Sequence, residues 1–186
     1  LSSSSAASDV YKRQAANDEY RRAFVADCAR VVKEFALDGI DIDWEYPTSS
    51  MANISSSPDD TENFTLLMQD IRAAIGNEKE LTLATVASAR YIDFKAILPS
   101  VDFVNIMAYD MASAPKHHSA LYPSGHSGDI TSDGAVTAHL KAGVPPSKLV
   151  MGMPFYGRGG DGYPSFQDYN LSLIHISEPT RPEPIS

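Results

Sequence analysis

Helical and extended hydrophobic patterns alternate along the middle of this chain, and this alternation limits the folds open to it more than any other feature. Apolar residues recur at three- and four-residue spacing in the helical segments, whereas the extended segments are short, mainly apolar runs. Helical patterns cover residues 20–35, 58–75, 93–98 and 132–142, and extended patterns cover residues 39–45, 81–87, 102–109 and 148–156. Ser57, followed by Pro58, is predicted to cap the second helix. Such alternation is typical of a parallel sheet built from βαβ units, so we predict an α/β fold.

The two ends of the chain do not share this pattern. Residues 1–14 contain a serine run and have neither a helical nor a strand period, and residues 171–186 hold three prolines within six residues. Both ends resemble translated cloning or adapter sequence, and native disordered tails are the alternative. We therefore expect the folded domain to comprise residues 15–170.

Composition and charge exclude several classes of protein. A chain of 186 residues allows one domain, and 43% hydrophobic with 21% charged residues is usual for a folded one. Fifteen Lys and Arg against 24 Asp and Glu give a net charge of -9, which argues against a nucleic-acid partner. No apolar run of about 18 residues exists that could span a membrane. The single cysteine, Cys28, lies on a predicted helical face and is expected to be a buried thiol.

Acidic and apolar residues alternate in the extended segment 39–45. Side chains two apart on a strand share a face, so Asp41, Asp43 and Glu45 are predicted to form a ladder of carboxylates. If helices cover the apolar face, these acids lie on the inner face of the sheet, where like charges are costly. A catalytic role would explain why three like charges are placed there. A solvated strand face and a cation-binding loop are the alternatives, although a calcium loop needs a mid-loop glycine and a turning backbone.

Residues 38–47, DGIDIDWEYP, resemble the DGxDxDWEYP signature of family 18 glycoside hydrolases, the chitinases. Residues 107–110, MAYD, resemble the MxYD strand end of the same family, and residues 154–158, PFYGR, resemble its PxYGR strand end. The resemblance implies a (β/α)8 TIM barrel, whose active site lies at the C-terminal ends of the strands. In the register of that barrel the chain would supply strands 4 to 7 with their helices. Strands 1–3 and 8 would be missing, which implies a partial catalytic domain.

The resemblance also implies a mechanism and its residues. Acids on one strand reach the glycosidic bond from one side only, so the 2-acetamido group of the substrate would attack from the other. Glu45 would be the general acid and then the general base. Asp43 would orient the acetamido group and stabilise positive charge, and Asp41 would share a proton with it. Tyr109 would donate a hydrogen bond to the acetamido oxygen.

A second group of residues is assigned to substrate binding by the same resemblance. Met107 would line an apolar floor, and hydrogen bonds to sugar hydroxyls would come from Asp110, Tyr156 and Arg158. Tyr46, next to the proposed acid, completes this group. A core ring is the alternative for Tyr156, an ion pair for Arg158 and a turn cap for Asp110.

The function predicted from these observations is retaining, substrate-assisted hydrolysis of β-1,4 linkages between N-acetylglucosamine units. An endo-β-N-acetylglucosaminidase acting on N-glycans, a non-catalytic chitin-binding lectin and an interaction domain are the alternatives. The presence of Glu45 favours an enzyme over a lectin. The expected ligand is chitin or an oligosaccharide containing N-acetylglucosamine, with no cofactor, metal or membrane, on a monomer outside the cell or at its surface. We expect the fragment alone to be inactive.

Histidines are not expected to form a metal site. His117, His118 and His126 fall in the polar loop predicted at residues 111–131, and their spacing does not match that of zinc ligands. These loop histidines are predicted to be solvated.

Overall fold

The computed structural model describes residues 12–13, 15–51, 54–158 and 167–168. The predicted terminal segments, 1–14 and 171–186, lie outside the described residues apart from residues 12 and 13. The elements occur in the order α1 (Asp18–Glu34), β1 (Gly39–Ile42), α2 (Asp60–Ile75), β2 (Glu80–Val86), α3 (Phe94–Ile97), β3 (Phe103–Met107), α4 (Ser132–Lys141), a 3-10 turn (Pro146–Lys148), β4 (Leu149–Met151), β5 (Tyr156–Gly157) and β6 (Gln167–Asp168).

Strands β1 to β4 form one parallel sheet in which each strand lies beside the next strand in the sequence. Asp41 lies opposite Thr82, and Asn105 lies opposite both Ala84 and Val150. Strands β5 and β6 form a separate antiparallel pair. The predicted α/β fold with a parallel sheet is therefore confirmed, and its sequential strand order is that of a barrel wall.

The hydrophobic core lies between the sheet and helices α1 and α2. Trp44, which follows β1, packs edge-to-face on Phe64 of α2 with ring centroids 5.8 Å apart. The Cys28 thiol on α1 is buried, as predicted, and burial raises its pKa to about 11. The buried residues of this core include Val25, Cys28, Ile42, Phe64, Leu67, Met68, Ile71, Leu81, Leu83 and Val104.

Helix α2 begins later than the sequence predicts. Ser57 is not its N-cap, because the helix starts at Asp60 and Asp59 occupies the cap position. The buried Asp60 carboxylate accepts hydrogen bonds from the backbone N–H groups of Ser57, at 2.7 Å, and Thr48, at 3.2 Å. These bonds hold the preceding residues in a turn. The helix ends at Ile75 and is capped by Gly76, which was predicted to stop it and has a φ of 78° that suits glycine.

Strands β1, β3 and β4 are shorter than their hydrophobic patterns, and β3 ends at Met107 rather than at residue 109. Strand β1 ends at Ile42 and β4 ends at Met151, whereas the patterns continue to residues 45 and 156. In both β1 and β4, the backbone stops pairing with the neighbouring strand although the hydrophobic pattern continues. After β4, Pro154 has no N–H to donate to a neighbouring strand. The residues that follow β1 and β4 therefore lie at the C-terminal edge of the sheet. Among the described residues, no helix is both long and apolar enough to cross a membrane.

Candidate active site

The alternation in segment 39–45 separates apolar from acidic side chains. Ile42 and Trp44 are buried in the core, with 1% and 2% of their surface exposed. Asp41, Asp43 and Glu45 are not buried in the core. The acids thus lie on the side of the sheet away from the helices, at and beyond the C-terminal end of β1.

Asp41 is held by side chains from the two following strands. Its carboxylate accepts a hydrogen bond from the hydroxyl of Thr82 on β2 and another from Asn105 Nδ2 on β3, at 3.1 Å. Neither partner is among the residues predicted from the sequence. A polar side chain on the inner face of an otherwise apolar strand is the signal that could have identified them.

Asp43 has an unusual electrostatic environment. Burial, together with the negative charges of Glu45 and Asp41, raises the pKa of Asp43 to about 6. A carboxyl group with this pKa carries a proton at a pH where an ordinary aspartate is ionised. Asp43 is therefore well suited to share a proton with a neighbouring acid.

Tyr46 lies beside the acids and packs on a second tyrosine. The Glu45–Tyr46 peptide bond is cis. Burial raises the pKa of the Tyr46 hydroxyl above its usual range, and so does Glu45, through its charge and a hydrogen bond. The Tyr46 ring stacks on Tyr91, with centroids 5.6 Å apart. Tyr91, which the sequence patterns do not predict as a site residue, is held by a 3.0 Å hydrogen bond from the Thr61 hydroxyl to its carbonyl oxygen.

Met107 is at the end of β3, and Tyr109 follows it near the acids Asp43 and Glu45. Met107 is the last residue of β3, two positions after Asn105, and is half-buried. Burial raises the pKa of Tyr109, and the charges of Asp43 and Glu45 add to this effect. A phenol with a raised pKa stays protonated near these carboxylates and can act as a hydrogen-bond donor.

Asp110 joins the ends of β3 and β5 in a polar cluster. Its Oδ1 atom lies 3.4 Å from Arg158 Nη1 and 3.4 Å from His118 Nδ1. Burial raises the pKa of Tyr156, whose hydroxyl also donates a hydrogen bond to the Asp110 carboxylate. The Tyr156 ring meets that of Tyr109 edge-to-face, with centroids 6.3 Å apart. The predicted substrate-binding residues Asp110, Tyr156 and Arg158 therefore lie together, next to Tyr109.

The prediction that all loop histidines are solvated is wrong for His118. Its side chain is 15% exposed and its ring stacks on Tyr156, with centroids 5.4 Å apart. His117 and His126 are exposed. The difference arises because the loop folds back against the end of β3, which its sequence pattern does not indicate. In the described ranges, no group of three or more His, Cys, Asp or Glu side chains is placed to hold a metal ion.

Comparison with known proteins places this arrangement in a family. Residues 3–172 match the family model for glycosyl hydrolases family 18. Chitinase A1 of Niallia circulans is 36% identical in an alignment 183 positions long that includes 83% of this chain and 26% of that protein. Chitotriosidase-1 of Mus musculus is 37% identical in an alignment 158 positions long that includes 74% of this chain and 33% of that protein.

Solved structures of the same family have a similar fold. The chitinase domain of the spore coat protein CotE from Clostridium difficile superposes with a TM-score of 0.80 at 36% identity, over 89% of this chain and 50% of that one. A family 18 N-acetylglucosaminidase from Paenibacillus barengoltzii gives 0.74 at 37% identity, over 80% of this chain and 48% of that one. The chain thus spans about half the length of these structures. It belongs to glycoside hydrolase family 18 and forms part of that family's (β/α)8 barrel.

Proposed function

We propose that this chain is part of a chitinase catalytic domain that hydrolyses β-1,4 linkages between N-acetylglucosamine units with retention of configuration. The observation that carries the proposal is the one-sided row of carboxylates at the end of β1. Asp43 within it has a pKa raised to about 6, and the charges of Asp43 and Glu45 help raise the pKa of Tyr109. Acids on a single strand approach a sugar from one side, so another group must attack from the opposite side.

The first chemical step breaks the glycosidic bond. Glu45 donates its proton to the glycosidic oxygen, and the bond between that oxygen and the anomeric carbon breaks. The carbonyl oxygen of the substrate's 2-acetamido group forms a bond to the anomeric carbon from the opposite face. The products of this step are the released sugar, an oxazolinium ion and the Glu45 carboxylate.

The second step returns the enzyme to its starting state. Glu45 takes a proton from a water molecule, whose oxygen attacks the anomeric carbon from the side that the leaving group occupied. The bond to the acetamido oxygen breaks and the acetamido group is restored. Two inversions give net retention.

Asp43, Asp41 and Tyr109 support the reaction without taking part in the bond changes. Asp43 accepts a hydrogen bond from the acetamido N–H and stabilises the positive charge of the intermediate. Asp41, anchored by Thr82 and Asn105, shares a proton with Asp43. The Tyr109 hydroxyl donates a hydrogen bond to the acetamido oxygen and so orients it for attack.

Substrate binding is assigned to residues around this centre. The Asp110 cluster offers a carboxylate, a guanidinium and a phenol to sugar hydroxyls. Met107 forms an apolar floor beneath the sugar, and Tyr46 adds an aromatic wall beside the acid. Chitin is the proposed substrate, because the matched relatives include chitinases. Because polymeric chitin cannot enter a cell, we place the protein outside the cell or at its surface.

The proposal is tested by hydrolysis of chitin oligosaccharides with the complete catalytic domain that carries this segment. Glu45→Gln keeps the shape of the side chain but removes the acid, so kcat should fall by at least ~10², whereas oligosaccharide binding should persist. Glu62→Gln, on the exposed side of α2, is the matched control and should leave kcat unchanged. Normal turnover by the Glu45 variant would contradict the assignment. Binding without turnover by the unmodified protein would instead indicate a lectin.

A further inference from the structure

The loop between β3 and α4 is attached to the end of β3 around His118. The His118 carbonyl oxygen accepts a 2.9 Å hydrogen bond from the backbone N–H of Met111. The hydroxyl of Ser119 donates a 2.7 Å hydrogen bond to the carbonyl oxygen of Ala108. These two bonds place the His118 imidazole beside Asp110.

The imidazole contacts both Asp110 and Tyr156. His118 Nδ1 accepts a 3.1 Å hydrogen bond from the backbone N–H of Asp110, so this nitrogen carries no proton. The ring stacks on Tyr156 and also forms a hydrogen bond with the backbone of Tyr156. Burial lowers the pKa of His118, which favours the uncharged ring that this geometry requires. The nearby charged and titratable groups act in both directions: Asp110 raises this pKa, whereas Arg158 and His117 lower it.

Asp110 needs such support because of its backbone. Its φ of 55° lies in the left-handed region, which residues other than glycine adopt at a cost. Its carboxylate must also remain within reach of Arg158 and the Tyr156 hydroxyl. The His118 imidazole contacts both the Asp110 backbone and the Tyr156 ring.

We propose that His118 is a positioning residue of the substrate-binding cluster, holding the Asp110 backbone through Nδ1 and the Tyr156 ring by stacking. In this way it directs the Asp110 carboxylate and the Tyr156 hydroxyl toward the sugar. The inference rests on the proposed function, because the cluster is assigned to sugar binding there. It implies that loss of the Nδ1 acceptor weakens substrate binding more than it weakens the fold.

The test compares two variants of His118 in the complete catalytic domain. Phenylalanine keeps an aromatic ring on Tyr156 but has no acceptor for Asp110, so His118→Phe should raise KM for chitin oligosaccharides ~2- to 10-fold, the net range for one lost hydrogen bond. Asparagine can place its Oδ1 atom near the position of Nδ1, so His118→Asn should recover most of that loss. His126→Asn changes an exposed ring in the same loop and should leave KM unchanged.

The readout separates positioning from mere structural support. A histidine that only supports the fold would reduce the amount of active enzyme, lowering apparent kcat while KM stays constant. That result, or an unchanged KM in the phenylalanine variant, would overturn the inference while leaving the proposed function intact. A wild-type domain that neither binds nor hydrolyses chitin oligosaccharides would overturn both. If the phenylalanine variant does not fold, ¹⁵N NMR of wild-type His118 decides: a neutral ring protonated only on Nε2 supports the inference, and a proton on Nδ1 overturns it.

Discussion

Asp43 shows how its surroundings set the chemistry of one side chain. Its pKa in the folded protein is about 6, above the ordinary value of 3.8, because partial burial of the carboxyl group and two neighbouring acids disfavour the charged form. The folded state therefore binds more protons than the unfolded state between these values. By linkage, this residue lowers the stability of the fold as the pH rises through that window. A site suited to holding a proton is thus one where ionisation is destabilising.

Asp43→Asn should consequently stabilise the domain in a pH-dependent manner. The variant should match the wild type near pH 3, below both pKa values, and exceed its free energy of unfolding at pH 7 by no more than about 1 kcal/mol, because solvent still screens this partly exposed carboxyl group. Denaturant unfolding at several pH values measures the difference. Asp38→Asn, at an exposed position just before β1, is the control. A stability gain that is the same at pH 3 and pH 7 would contradict this explanation.

At the scale of elements, the order of helices and strands could be predicted from the sequence, but the contacts between them could not. The spacing of apolar residues is a property of each element by itself, so it could reveal strands β1 to β4 and the helices between them. The anchors of Asp41 depend on the register between strands, since Thr82 and Asn105 are brought to it from β2 and β3. The position of His118 depends on how a polar loop folds back, which no local pattern specifies.

Strand β4 approaches the site through a glycine, and this approach can be tested. A Cβ atom on Gly152 would lie 2.8 Å from the carbonyl oxygen of Ile106 and 3.0 Å from Cε1 of Tyr109. Gly152→Ala should therefore displace the Tyr109 ring, lowering kcat/KM for chitin oligosaccharides at least ~10-fold and stability by about 1–3 kcal/mol, as overpacking does. Gly125→Ala, where a Cβ atom would have no neighbour within 4 Å, should have no effect. Unchanged kinetics in the Gly152 variant would show that Tyr109 has room to move.

On the scale of the whole molecule, the described sheet resembles one wall of a barrel. Strands β1 and β4 are its outer members, and a closed barrel would pair both of them with further strands. Large apolar side chains are exposed at the β4 side, with Val150 at 45% and Met153 at 63%. Unpaired edges beside exposed apolar surface favour association between chains.

Residues 15–170 expressed alone should therefore aggregate or remain partly folded, without chitinase turnover. Sedimentation velocity and thermal unfolding followed by circular dichroism measure this directly. A monomer that unfolds in one cooperative transition and hydrolyses chitin oligosaccharides would show that four strands are sufficient. The complete catalytic domain, measured in parallel, should unfold cooperatively and stay monomeric.

The one-sided arrangement of acids also makes a prediction about the substrate that the whole barrel must bind. Asp41, Asp43 and Glu45 all belong to one short segment, so in the proposed mechanism the attacking group on the opposite face is the substrate's own acetamido oxygen. Hydrolysis should then require an N-acetyl group on the sugar at the non-reducing side of the cleaved bond. Glucosamine at that position should still bind through its hydroxyls but should be cleaved several orders of magnitude more slowly, which is the scale of a lost intramolecular nucleophile. Sugars at other positions should tolerate deacetylation.

In digests of partially deacetylated chitosan by the complete domain, new reducing ends should be N-acetylglucosamine almost throughout. Frequent reducing-end glucosamine would show that a protein carboxylate or an activated water attacks instead.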